Sequence, residues 1–236
     1  EIRWAEGAGR VVARRRRVLG ALTLMEAPLR DPDPAELGRA LLDGIRAAGL
    51  DALPWSKETA QLRERLAFLG VHDPERWPDA SEEALLASLD AWLLPFLSGL
   101  KRLEDLKRVD LAQALLTWVG WDRQASLDRL APTHVEVPSG SSVRIDYSNP
   151  EAPALAVRLQ EVFGLTETPR IAGGRVPLTM KLLSPAQRPV QMTQDLASFW
   201  RDAYFEVRKD MRGRYPKHYW PEDPLEAEAT RRTKPR

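Results

Sequence analysis

The sequence contains no cysteine and only three histidines in 236 residues. The first absence removes disulfides, cysteine nucleophiles and thiolate-bound zinc or iron–sulfur centres. It also fits a reducing compartment, and a cytoplasmic protein is expected. His72, His134 and His218 form no i, i+4 pair and no HExxH, so a zinc-protease site lacks its ligands and no metal site is expected. No apolar run approaches the ~20 residues of a membrane span, so no membrane partner is expected. The opening EIRWAEGAGRVVARRRR lacks the apolar core of a secretory signal. With Glu1 rather than methionine in first place, the chain reads as a piece of something longer. An excess of either charge is missing too, since 35 Lys and Arg stand against 34 Asp and Glu.

Motifs for catalysis are also missing. There is no GxxxxGK[ST], no GxGxxG and no GxSxG elbow. Ala172-Gly173-Gly174-Arg175 precedes a strand and reads as a turn, and Pro138-Ser139-Gly140-Ser141 reads as a hairpin loop rather than a nucleophile. Asp146-Tyr147 reads as a hydrogen-bonding pair at a strand end. No catalytic residue is assigned.

What is present is 43% hydrophobic and 29% charged, ordinary globular usage, in an α+β order. Residues 1–30 read as the end of a β region, with a terminal hairpin on segments near 10–17 and 20–26. Residues 31–130 read as a helical module. Asp31-Pro32-Asp33-Pro34 starts a helix carrying Leu37, Leu41, Leu42 and Ile45, and Gly49 ends it. Ser56 caps a second helix with Leu62, Leu66 and Leu69 on one stripe. Asp79-Ala80-Ser81-Glu82-Glu83 opens a third with Leu85, Leu86, Leu89 and Trp92. Residues 131–211 read as a mixed α+β domain: a hairpin around Ser139-Gly140, a helix over 154–163, a strand from Val176 to Leu183, a short strand at Val190–Met192, and a helix capped by Thr193. Residues 212–236 read as an extended basic tail, mobile over Arg231–Arg236.

Two basic features stand out. Arg14, Arg15, Arg16 and Arg17 lie in an expected strand, where alternation puts two on each face. They suit either a solvated strand edge or phosphate contact. The second is the stretch from Arg208 to Pro221. It carries Arg208, Lys209, Arg212, Arg214 and Lys217 against a single acid, with Tyr215, His218 and Trp220 among them. Cations interleaved with aromatics grip single-stranded RNA or DNA through phosphate pairing and base stacking. The prolines equally suit a rigid segment anchored on the body by Tyr215 and Trp220. Eight tryptophans leave room for docking on a protein partner as well.

The stretches Arg188-Pro189-Val190-Gln191-Met192-Thr193, Asp195 to Trp200, Tyr204 to Lys209, Arg212 to His218 and Trp220 to Pro224 follow one another in an order that resembles the HrpB family of bacterial DEAH-box RNA helicases. Val137 to Gly140, Ile145 to Tyr147, Leu159 to Gly164 and Leu182 to Ala186 extend the resemblance upstream. It implies the end of an OB-like β region followed by the family-specific C-terminal region. The family's Walker A lysine, DEAH box and arginine fingers have no counterparts here. ATP and magnesium are therefore expected in a helicase core outside this chain, with no cofactor in the chain itself. That core, an RNA strand or another protein are the expected partners.

Overall fold

The computed structural model describes residues 1–235 of the protein; Arg236, the end of the expected basic tail, lies outside the described residues. The chain divides into two compact units. The first comprises Glu1–Arg63 and Trp77–Gln124, and the second Glu64–Arg76 and Ala125–Arg236.

The first unit begins with an antiparallel sheet of β1 (Ile2–Ala5), β2 (Arg10–Leu19) and β3 (Leu22–Pro28), in that order. The expected hairpin is β2–β3, and β1 was not foreseen. Gly20 and Ala21 close the hairpin in two residues, with Gly20 at φ 57°, a conformation such short loops require at a central position. Helix α1 (Pro34–Ala48) starts where the prolines indicate. Asp33 accepts the Ala35 N–H at 2.9 Å, and Pro34 occupies the first turn, where its missing N–H leaves nothing unsatisfied. Leu37, Leu41, Leu42 and Ile45 are all buried on its inner face.

Helix α2 (Lys57–His72) follows, its first half in the first unit and its second half in the second. Ser56 caps it by accepting the Thr59 N–H at 3.1 Å. The third expected helix is broken. Ser81 caps α3 (Glu82–Ala87), Ser88 turns its hydroxyl back onto the Ala84 carbonyl at 2.7 Å, and a separate turn α4 (Leu89–Trp92) carries the buried Trp92. A serine hydroxyl competing for a helix carbonyl is a local reason for such a break. Helices α5 (Leu111–Val119), capped by Asp110, and α6 (Trp121–Leu130) complete the helical part.

Gly44, in the middle of α1, is where the helix meets β1. A β-carbon there would lie 2.6 Å from two ring atoms of Trp4. On an open helix face, Gly→Ala would stabilise by ~1 kcal/mol. Here the rigid indole must move, so Gly44→Ala should instead destabilise by about 1–3 kcal/mol in a denaturant titration. Adding Trp4→Leu should restore much of the loss.

The second unit is built on a five-stranded sheet. Its strands are β4 (His134–Glu136), β5 (Ser142–Asp146), β6 (Ala154–Arg158), β9 (Thr179–Leu183) and β10 (Pro189–Thr193), in the order β10-β9-β6-β5-β4. A separate ribbon pairs β7 (Arg170–Ile171) with β8 (Val176–Pro177), so the strand expected over Val176–Leu183 is two strands parted at Leu178. The helix expected over 154–163 is strand β6 followed by a 3-10 turn at Leu159–Glu161. Strand β6 is the central strand, antiparallel to β5 and parallel to β9, with Ala154, Leu155 and Val157 all buried. Leu155 and Val157 are buried while Ala156 between them is exposed, and because that exposed position is itself apolar the run shows no polar alternation and resembles a buried helix.

The last helix is capped by Asp195, which accepts the Ser198 N–H at 2.9 Å, and not by Thr193, which ends β10 and accepts the Asp195 N–H. It runs through α7 (Leu196–Ser198), a π turn at Phe199–Ala203 and α8 (Tyr204–Arg214). Phe163, Phe199, Trp200 and Tyr204 pack as an aromatic cluster with centroid separations from 4.9 to 6.3 Å. Burial pushes the Tyr204 hydroxyl well above its ordinary pKa, and the hydroxyl donates to the Pro221 carbonyl at 2.8 Å.

Candidate nucleic-acid interface

The four consecutive arginines sit on β2 where it leaves the three-stranded part of the sheet. Strand β1 pairs only with Arg10–Ala13, whereas Arg14–Leu19 pair with β3. Beyond Arg14 the sheet is therefore a two-stranded ribbon. Alternation places Arg14 and Arg16 on one face, where both meet carboxylates. Arg14 is hydrogen-bonded to Glu26, and Arg16 lies 2.7 Å from Glu1 and 3.6 Å from Glu26. The hydrogen bond from Arg14 is the main reason the Glu26 carboxyl is held below its usual range. On the other face, Arg15 and Arg17 form no ion pair among the described residues. The tip of the same ribbon exposes Val18, Leu19, Leu22, Leu24 and Met25, each more than half accessible.

In the second unit the stretch from Arg208 to Trp220 separates into inward aromatics and outward cations. Trp220 is 7% exposed, and its indole N–H donates to the Tyr215 carbonyl at 3.0 Å. Tyr215 is half-buried with its hydroxyl 3.4 Å from Ser184. His218 is half-buried, with Nδ1 2.9 Å from the Gln160 side-chain oxygen; desolvation, and then the charge of Arg158, lower its pKa. All three rings are engaged in packing, Trp220 almost wholly and Tyr215 and His218 in part. The stretch is thus anchored as the proline-rich reading supposes.

The cations point out. Lys209, Arg212 and Lys217 are exposed and have neither ion pair nor side-chain hydrogen bond among the described residues. Arg214 is exposed and pairs with Asp210 at 2.9 Å. Arg208 is mostly covered, donating to the Trp220 carbonyl at 3.1 Å and to Glu222 at 3.4 Å. Arg208 and Arg212, one turn apart on α8, line a groove of about 460 Å³ with His218, Glu222 and Lys234. Lys234 was not identified from the sequence: it lies 22 residues beyond Arg212, and no local spacing links them.

The residues after Arg214 form no regular element, yet they are held to their unit. Tyr219 N–H donates to the Thr233 carbonyl at 2.8 Å, Thr230 N–H to the Gln160 carbonyl at 2.9 Å, and Gly164 N–H to the Pro224 carbonyl at 2.9 Å. Thr230 is buried. The described part of the tail is therefore tied down rather than mobile. Beneath it, the buried Glu161 carboxylate accepts hydrogen bonds from the Ser139 and Ser141 hydroxyls at 3.1 and 2.5 Å and from Arg158 at 2.8 Å. The serines of the Pro138–Ser141 loop thus have a structural partner.

Among the described residues no group of three potential ligands could hold a metal ion, and no helix is long and apolar enough to cross a membrane.

This α+β architecture falls into a defined class. The HrpB_C family, described as ATP-dependent helicase C-terminal, matches residues 92–224, more than half the chain, and the chain belongs to that family. ATP-dependent RNA helicase HrpB of Escherichia coli (strain K12) is 49% identical over 234 residues, 99% of this chain. A crystal structure of the E. coli DExH-box NTPase HrpB superposes with TM-score 0.80 at 48% identity over 98% of the chain. Another, described as the E. coli DEAH/RHA helicase HrpB, gives 0.69 at 47% over 93%. The chain spans 29% of the length of that curated relative.

Proposed function

We propose that this chain is a non-catalytic accessory region of an ATP-dependent RNA helicase, and that it contacts nucleic acid through phosphates rather than through stacked bases. The supporting observation is the outward row of Lys209, Arg212 and Lys217, which stand unpaired beside a buried aromatic anchor. In this reading ATP and magnesium are handled by a helicase core of the same polypeptide, and the accessory region guides the strand.

The test is fluorescence polarisation with a labelled single-stranded RNA across a salt series. Binding should weaken steeply with salt, because each neutralised phosphate releases counterions with a slope of about −0.7 on single strands. The variant Lys209→Gln, Arg212→Gln, Lys217→Gln should flatten that slope by about 2, roughly 0.7 per contact. Equal affinity at low and high salt contradicts the proposal.

One observation favours a second reading, docking on a protein. The exposed apolar tip of the β2–β3 ribbon, Val18, Leu19, Leu22, Leu24 and Met25, is of the kind that marks an interaction surface. In this reading the partner is the helicase core or another protein. A pull-down with a separately expressed helicase core, compared between the native chain and Leu19→Ser, Leu22→Ser, tests it; no capture under any condition counts against docking.

A further inference from the structure

The first unit carries another concentration of positive charge, assembled from residues far apart in the sequence. Strand β3 ends at Pro28, opposite Arg14, so the earlier residues of β2 are open on that side. The segment Lys101–Arg102 takes the vacant place. Val11 N–H donates to the Lys101 carbonyl at 2.8 Å, and Arg10 and Arg102 form an antiparallel bridge. The Asp105 carboxylate fixes the segment by accepting the Lys101 and Arg102 N–H groups at 3.3 and 3.1 Å.

Residues opposed across an antiparallel bridge share a face with β-carbons ~5 Å apart, and like charges placed so are destabilising. Arg14, four residues along the strand, lies on the same face as Arg10. The result is a groove of about 300 Å³ lined by Arg10, Val12, Arg14, Pro28, Lys101 and Arg102, with no carboxylate in its wall. Glu26 neutralises Arg14 at the rim. Among the described residues Arg10, Lys101 and Arg102 have no ion pair. An anion entering the groove would relieve their repulsion and could take bidentate hydrogen bonds from the guanidinium groups. From Arg10 to Arg14 the strand covers ~13 Å at ~3.3 Å per residue, more than one phosphate spans.

We propose that Arg10, Lys101 and Arg102, with Arg14 at the rim, form a phosphate-binding site for the backbone of an RNA strand. The site rests on the reading that this chain meets nucleic acid, and it assigns the contact on the first unit.

The test compares the native 236-residue chain with Arg10→Gln, Arg102→Gln, measuring binding to labelled single-stranded RNA over a salt series and the unliganded melting temperature. The salt slope should flatten by about 1.4, ~0.7 for each of two contacts. The melting temperature should hold or rise, because the variant removes a like-charge opposition. Arg10→Lys, Arg102→Lys should recover most of the slope. An unchanged slope in the Gln variant, with the native chain still binding RNA, overturns the site and leaves the proposed function standing. If the native chain does not bind RNA, both fail as stated; inorganic phosphate that still binds, and is lost in the Gln variant, would then mark a free-anion site instead. A lower melting temperature with the slope unchanged marks the arginines as structural and overturns the proposal.

Discussion

Replacing Trp220 with alanine should destabilise the second unit by about 3–5 kcal/mol, the usual effect of emptying a buried indole. The residue is 7% exposed, its N–H is bonded to the Tyr215 carbonyl, and its own carbonyl holds Arg208. The loss should appear as a lower denaturant midpoint. The same variant separates an anchor from a stacking platform. A base stacked on Trp220 would contribute ~1–3 kcal/mol to RNA affinity. An anchor contributes little to affinity once the chain is folded. Trp220→Leu, which keeps an apolar side chain in the pocket but has no ring for a base to stack on, should therefore bind RNA almost as well as the native chain at a temperature where both are folded. A large drop in affinity for the leucine variant, measured where both chains are folded, would restore the stacking role.

Glu161→Ala should cost on the order of 3 kcal/mol. The carboxylate is buried and receives three hydrogen bonds, from Ser139, Ser141 and Arg158. Hydrogen bonds to charged groups contribute ~1.5–3 kcal/mol each, and the half-buried Ser139 and Ser141 lose the acceptor they share. Arg158 is about a third exposed, so water can take over its share and the total is discounted accordingly. Glu161→Gln should lie between, since an amide has one accepting oxygen where the carboxylate has two. Thermal melting of the two variants checks the order; if Glu161→Ala melts with the native chain, the clasp contributes nothing.

Much of the fold was legible because its signals are local. Asp33-Pro34, Ser56, Ser81 and Gly49 mark helix ends through bonds made within a few residues, and the structure places the ends there. Strand β6 was not legible, because its conformation is set by β5 and β9 on either side, and Ala154 to Val157 are apolar whichever way the backbone runs. The Asp195 cap was displaced from Thr193 by the end of β10, another tertiary decision.

The candidate interface divides the same way. That Lys209, Arg212 and Lys217 are cationic is evident from the letters alone. That Tyr215, His218 and Trp220 turn inward depends on Ser184 and Gln160, distant in sequence. Arg10 and Arg102 meet across ninety residues, and only the end of β3 at Pro28 makes room for that bridge.

The proposed contact of this helicase C-terminal region with nucleic acid through phosphates is tested most directly by the affinity of the native chain for a labelled single-stranded RNA between low and high salt. The expected result is a binding constant whose logarithm falls linearly with the logarithm of salt, at about −0.7 per phosphate contacted. Affinity that does not change with salt, or no binding at low salt, would contradict it.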